Sequence, residues 1–192
     1  MEALLVSLST VALAEMGDRT QLLSLLLATR FRRPWPILAG VLIATLANHA
    51  LAGLAGSWVG HQLSPVILDA AVGASMIGMA LWMLKPDHLN DEDGQQSRHG
   101  AFVTTLVAFF IAEIGDKTQI ATLALAAGYP NLFAVVAGTT LGMLAANVPV
   151  VFLGNAFAGR LPMRAIHFGT TLLLLVIGAV FIYRAIRPGA LR

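Results

Sequence analysis

Glu15-Met16-Gly17-Asp18-Arg19-Thr20-Gln21 and Glu113-Ile114-Gly115-Asp116-Lys117-Thr118-Gln119 are one polar signature written twice, 98 residues apart. Each copy lies inside a run of Leu, Ala, Val and Ile long enough to cross a bilayer. Ionisable side chains in hydrocarbon are costly and mark function by default. Two acids, a base and two polar side chains, repeated in both halves of a chain, point to an ion site where two repeats meet.

The rest of the chain fits that reading. It has 192 residues, 57% hydrophobic and 11% charged, whereas soluble domains carry about 25% charged residues. This is the composition of an integral membrane protein, of a size suited to one compact helical bundle. Cysteine is absent, which excludes disulfides and thiolate metal sites. The net charge is +2. Most Lys and Arg border the apolar runs, as topology signals do, and none cluster as nucleic-acid binding requires. Glu2 at the start, with Glu15 and Asp18 inside the first apolar run, argues against a cleavable signal peptide.

A spanning helix needs about 20 mostly apolar residues. Six spans are expected, roughly at 3–28, 35–57, 65–84, 101–127, 131–155 and 165–184. Arg30, Arg32, Arg33, Pro34 and Pro36 separate the first two, Ser64-Pro65 opens the third, Tyr129-Pro130-Asn131 turns between the fourth and fifth, and Arg160 to Arg164 precedes the sixth. The fold expected is an all-α membrane protein with a three-helix repeat over 1–84, an acidic linker over 85–100 and a second three-helix repeat over 101–192. Ala39-Gly40 matches Ala137-Gly138, Asn48 matches Asn147, and Ile77-Gly78 matches Ile177-Gly178. Three is odd, so the second repeat enters the membrane in the opposite direction. Arg30, Arg32, Arg33, Lys85, Arg98, Arg160 and Arg164 fall on one side, against Arg184, Arg187 and Arg192 on the other. The positive-inside rule then places the linker in the cytoplasm and both termini outside.

On an unbroken helix Glu15, Asp18 and Arg19 share a face, with Gln21 continuing the stripe. Gly17 either lets a helix approach closely or breaks its own. Glu113, Gly115, Asp116, Lys117 and Gln119 repeat the pattern. Each motif sums to −1, so the pair carries the charge that one divalent cation neutralises. The candidate ligands are the oxygens of Glu15, Asp18, Glu113, Asp116, Gln21, Gln119, Asn48 and Asn147. Hard oxygen donors suit Mn²⁺ and Ca²⁺; Mg²⁺ sheds its water too reluctantly. Carboxylates removed from water favour the neutral form, so the same groups could carry protons when the metal leaves.

Duller readings compete. A Glu15–Arg19 pair could be a neutralised contact within one helix, although that leaves Asp18 alone and the repetition unexplained. Asn48 and Asn147 are either ligands or interhelical hydrogen bonders. His49 lacks a partner in the second half and reads as a packed polar residue. Asp69 reads as an acid on a helix dipole. Gly53, Gly56, Gly60, Gly138 and Gly142 read as packing positions. The stretch from Asp87 to Asp93, with His88 and His99, reads as a solvated linker.

Glu-x-Gly-Asp-[Lys/Arg]-[Ser/Thr], twice, on the first helix of each half resembles the Gdt-one/MneA family of cation exporters. The resemblance covers essentially the whole chain. It implies a Mn²⁺ or Ca²⁺ exporter working by cation/proton antiport, whose acids Glu15, Asp18, Glu113 and Asp116 form the transport site. Gly17, Arg19, Thr20, Gln21, Gly115, Lys117, Thr118 and Gln119 complete the motifs. The short length resembles bacterial members and implies the inner membrane. The expected partners are a divalent cation, protons and the bilayer, with no resident cofactor and with a homo-oligomer left open. The competing functions are an exporter of small organic solutes such as basic amino acids, an uncoupled cation channel, an intramembrane enzyme and a structural membrane protein. No His-Glu-x-x-His or Gly-x-Ser-x-Gly motif supports the enzyme.

Overall fold

The computed structural model describes residues 1–82, 100–153 and 163–187. Asp87, His88, Asp93 and His99 of the expected linker, and Arg160 and Pro162 of the expected break before the sixth span, lie outside the described residues. Among those described, eight helices and no strand form. They are α1 (Glu2–Glu15), α2 (Arg19–Phe31), α3 (Pro34–Gln62), α4 (Pro65–Trp82), α5 (Ala101–Glu113), α6 (Lys117–Gly128), α7 (Leu132–Leu153) and α8 (Met163–Ile186). The spans expected at 3–28 and 101–127 are therefore not continuous: each is two shorter helices joined at a motif. Of the described helices, α3 and α7 are long and apolar enough to cross a membrane alone.

Local chemistry sets the boundaries. Arg32 closes α2 in the left-handed region (φ 52°), and Pro34 starts α3 where a missing N–H costs nothing. Asn131 Oδ1 caps α7 by accepting the Ala134 N–H at 2.9 Å. Asp69 lies beyond the first turn of α4, so the helix-dipole reading of that acid does not hold.

The two halves exchange partners. α1 packs on α7 and α5 on α3, while α2 packs on α7 and α6 on α3; α4 and α8 pair with each other. A Cβ at Gly138 would meet Leu4 O, and one at Gly142 would meet Leu8 O at 2.6 Å. The contact climbs both helices together, so α1 and α7 run parallel with their backbones touching. Gly40 faces Phe102 and Thr105, and Gly56 and Gly60 face Leu123 and Ala127, which sets α3 parallel to α5 and α6. Small residues permit this approach where lipid supplies no hydrophobic drive.

The polarity is that of a membrane protein. Leu42, Ile43, Leu46, Leu51 and Leu54 of α3 face outward, as do Val107 and Ile111 of α5, whereas Ser7, Thr10, Glu15, Asp18, Thr45, Glu113 and Asn147 are buried. Trp35 and Trp58 stand exposed near opposite ends of α3, where interfacial aromatics sit. Two apolar clusters flank the buried polar residues: one around Val72, Met76, Leu125 and Phe181, the other around Leu23, Ile37, Val41 and Phe109.

The close approach at Gly142 makes a test. Gly142→Ala must push α1 from α7 and should destabilise the detergent-solubilised protein by about 1–3 kcal/mol, the usual cost of overpacking. Gly78→Ala, whose Cβ meets nothing within 4 Å, should leave the unfolding temperature unchanged or raised. Equal behaviour of the two variants would contradict the packing.

Candidate cation site

Each motif breaks its helix by the same construction. Glu15 ends α1 and Asp18 is the residue before α2, with Gly17 between them at φ 81°. Glu113, Gly115 (φ 74°) and Asp116 repeat this between α5 and α6. A positive φ is strained for any residue with a Cβ, so glycine is needed at both breaks. The Asp18 N–H donates to Glu15 O at 3.1 Å, and the Asp116 N–H to Glu113 O at 3.1 Å. Gln21 Oε1 accepts the Gly17 N–H at 2.8 Å, and Gln119 Oε1 accepts the Gly115 N–H at 2.7 Å. Gln21 and Gln119, counted among the ligands from sequence, thus have their carbonyl oxygens engaged in holding the breaks. The Thr20 and Thr118 hydroxyls lie 3.4 Å from the second oxygens of Asp18 and Asp116.

The break overturns the single-face stripe expected of Glu15, Asp18 and Arg19. No Glu15–Arg19 pair forms: neither Glu15 oxygen has a hydrogen-bond partner. The bases instead cross between motifs. Lys117 Nζ lies 2.5 Å from Asp18 Oδ1, and Arg19 Nη2 lies 3.2 Å from Asp116 Oδ1. Arg19 also donates to Ala112 O at 2.5 Å. The Asp18–Lys117 pair is buried, whereas the Arg19 side chain is 34% exposed.

The glutamates sit deeper, both at 0% exposure. Glu113 Oε1 accepts the Thr45 hydroxyl at 2.7 Å, while Oε2 has no hydrogen-bond partner and lies 3.9 Å from His49 Nε2. The charges of Asp18, Asp116 and Glu113 all act on Glu15, so the four acids share one electrostatic neighbourhood. Among the described residues, however, no group of three His, Asp or Glu side chains is arranged to hold a metal ion. This conformation gathers the acids without closing them around an ion.

The two asparagines part company. Asn147 Oδ1 accepts the Ser24 hydroxyl at 2.6 Å, a bond between α2 and α7, while its Nδ2 donates to Met143 O at 3.0 Å within α7. Asn48 Nδ2 donates to Phe110 O at 3.1 Å, leaving its Oδ1 buried and unpartnered. Sequence reading missed Thr45 and Ser24. Thr45, Asn48 and His49 occupy i, i+3 and i+4 in the apolar middle of α3, a polar stripe that could have revealed them.

Comparison with known proteins adds relatives. The chain matches the family model "Divalent cation/proton antiporter GDT1" over residues 3–91 and 101–188. A Vibrio cholerae protein named "Putative manganese exporter" is 51% identical over 185 residues, covering 94% of this chain and 92% of that protein. The Saccharomyces cerevisiae "Divalent cation/proton antiporter GDT1" is 24% identical over 238 residues, covering 96% of this chain and 85% of that protein. "GDT1-like protein 3" of Arabidopsis thaliana is 26% identical over 193 residues, covering 86% of this chain and 65% of that protein. No solved structure matches the chain.

The crossed pair is testable by a double-mutant cycle. Lys117→Met removes the cation beside a buried aspartate and should destabilise the protein by about 3–5 kcal/mol. Adding Asp18→Asn should restore most of that loss. Additive effects in thermal or denaturant unfolding would show that the two side chains are not coupled.

Proposed function

The chain belongs to the GDT1 family of divalent cation/proton antiporters, and from that premise we propose that it exports Mn²⁺, with Ca²⁺ as the other cation its oxygen ligands suit, in exchange for protons. It is a membrane transporter, not an enzyme. The observation that carries the finer reading is the exchange of bases: Lys117 on Asp18 and Arg19 on Asp116. Each motif's aspartate meets the base of the other motif, which supports a site built from both halves at once.

The charges suggest the cycle. With every group ionised, the four acids and two bases sum to −2. An empty site at that charge is costly in low dielectric. In the metal-free state Lys117 and Arg19 neutralise the aspartates, and Glu15 and Glu113 carry protons. Entry of a divalent ion displaces those protons, because metal and proton compete for the same oxygens. The metal-bound state draws Glu15, Asp18, Glu113 and Asp116 around the ion, with Asn48 Oδ1 able to join. Gln21, Gln119 and Asn147 hold the backbone and helices in place. Release on the far side returns protons to the glutamates, so metal moves out as protons move in.

The architecture we propose is six spans in two inverted repeats, 1–84 and 101–192, with α1–α2 and α5–α6 as discontinuous spans. Parallel packing of α1 on α7 and of α3 on α5 supports it, since spans one and five run the same way only if the second half is inverted. The two stretches matched by the family model agree with that division. Half-helices meeting near the midplane are a recurrent way to present ion ligands in carriers. We place the protein in a bacterial inner membrane, with the linker cytoplasmic and both termini outside.

Transport in proteoliposomes tests the coupling. With voltage clamped, an imposed pH gradient should drive Mn²⁺ against its own gradient. Glu15→Gln and Glu113→Gln should each reduce flux at least tenfold. Mn²⁺ flux that ignores the pH gradient yet needs both glutamates would mean an uncoupled channel or uniporter.

Orientation is tested in a chain without natural cysteine. A cysteine at Gln62, on the outer side, should react with an impermeant maleimide in intact cells, and one at Arg33 should not. The reverse labelling pattern would refute the orientation.

A further inference from the structure

Position 49 carries an imidazole in the heart of the bundle that the transport cycle above does not use. His49 is at 0% exposure, and neither ring nitrogen has a hydrogen-bond partner. Its Nε2 faces Glu113 Oε2 across 3.9 Å, and that oxygen is also without a hydrogen-bond partner. The gap is too long for a hydrogen bond, yet an ion bonded at roughly 2.0–2.2 Å to nitrogen and oxygen would bridge it. Thr45 fixes the other Glu113 oxygen at 2.7 Å and so holds Oε2 towards the ring. Asn48 Oδ1, one residue away on the same helix, is buried and unpartnered too. Two donor atoms on the packed helices α3 and α5 therefore face each other unengaged, with the unpartnered Asn48 oxygen on the neighbouring residue of α3.

We propose that His49 is a metal ligand and selectivity determinant of the transport site, acting with Glu113 and Asn48 to favour Mn²⁺ and neighbouring transition ions over Ca²⁺. The inference rests on the transport reading and deepens it by naming the substrate class. Imidazole suits first-row transition ions, whereas Ca²⁺ and Mg²⁺ take oxygen. An all-oxygen site discriminates poorly between Mn²⁺ and Ca²⁺, and one nitrogen shifts the balance. The device is confined to one half. The pairing of Asn48 with Asn147 sets Val148 opposite His49, so Glu15 has no equivalent imidazole. The otherwise duplicated site is chemically asymmetric, with its nitrogen on the Glu113 side.

The test uses the full-length, tag-free protein in detergent, with Mn²⁺ and Ca²⁺ as the probes. His49→Gln should weaken Mn²⁺ binding about tenfold and change Ca²⁺ binding less than twofold. Pulsed EPR of bound Mn²⁺ should show ¹⁴N coupling in the wild type and lose it in His49→Gln. A background with His61, His88, His99 and His167 changed to Gln leaves His49 as the chain's one imidazole, and there the coupling must persist. That arm decides the matter if His49→Gln does not fold. Equal loss of both ions would reduce His49 to a positioning residue, and bound Mn²⁺ without ¹⁴N coupling would remove it from the ligand set; either result overturns the proposal. Mn²⁺ bound with ¹⁴N coupling but not exchanged for protons would sink the antiport reading and leave this one standing. A wild type that binds no Mn²⁺ overturns both.

Discussion

Four acids and two bases in a bundle whose outer face is apolar leave the chain one main difficulty, and the crossed ion pairs resolve it. A lone aspartate in such surroundings would be untenable. Asp18 is acceptable because Lys117 reaches it from the other half, and Asp116 because Arg19 reaches back. The parallel seams between α1 and α7, and between α3 and α5, bring the two breaks together, and glycines at those seams allow the backbones to touch. A buried ion pair adds little net stability. What the crossed pairs do supply is a base from the other motif beside each aspartate.

The breaks supply what an unbroken helix could not. An intact helix satisfies its own backbone and can present only side chains in a fixed stripe. Interrupting it after Glu15 and Glu113 turns the glutamate and the aspartate of each motif out of that stripe. Gln21 and Gln119 tie the freed Gly17 and Gly115 amides, so the breaks carry no orphaned donor there. Asp18 and Asp116 stand at helix N-termini, where the backbone dipole favours negative charge.

Much of this was legible in the sequence, for physical reasons that can be named. Charge is so rare in the spans that the doubled motif singled out acids that the fold buries, and apolar runs pointed to the helical class. The breaks were harder to see, because a window of about 20 residues averages over three, and Met16 and Ile114 are themselves apolar. Glycine at both positions was the signal, but it also fits close packing. The crossing of bases could not be read, since it depends on the approach of motifs 98 residues apart in the chain. Local context split Asn48 from Asn147. Ser24 reaches Asn147, whereas its second-half counterpart Thr122 bonds Thr118 O at 2.8 Å within its own helix. His49 read as packing; the structure leaves both of its nitrogens unengaged beside a carboxylate.

The central claim is that one ion is held by both motifs at once, in place of the crossed bases. Crystals of the protein grown with Mn²⁺ and measured at the manganese absorption edge test it most directly. The account predicts one anomalous peak between the breaks, with carboxylate oxygens of both halves at about 2.1–2.6 Å and Lys117 withdrawn from Asp18. A peak on one motif alone, with both crossed pairs intact, would contradict it.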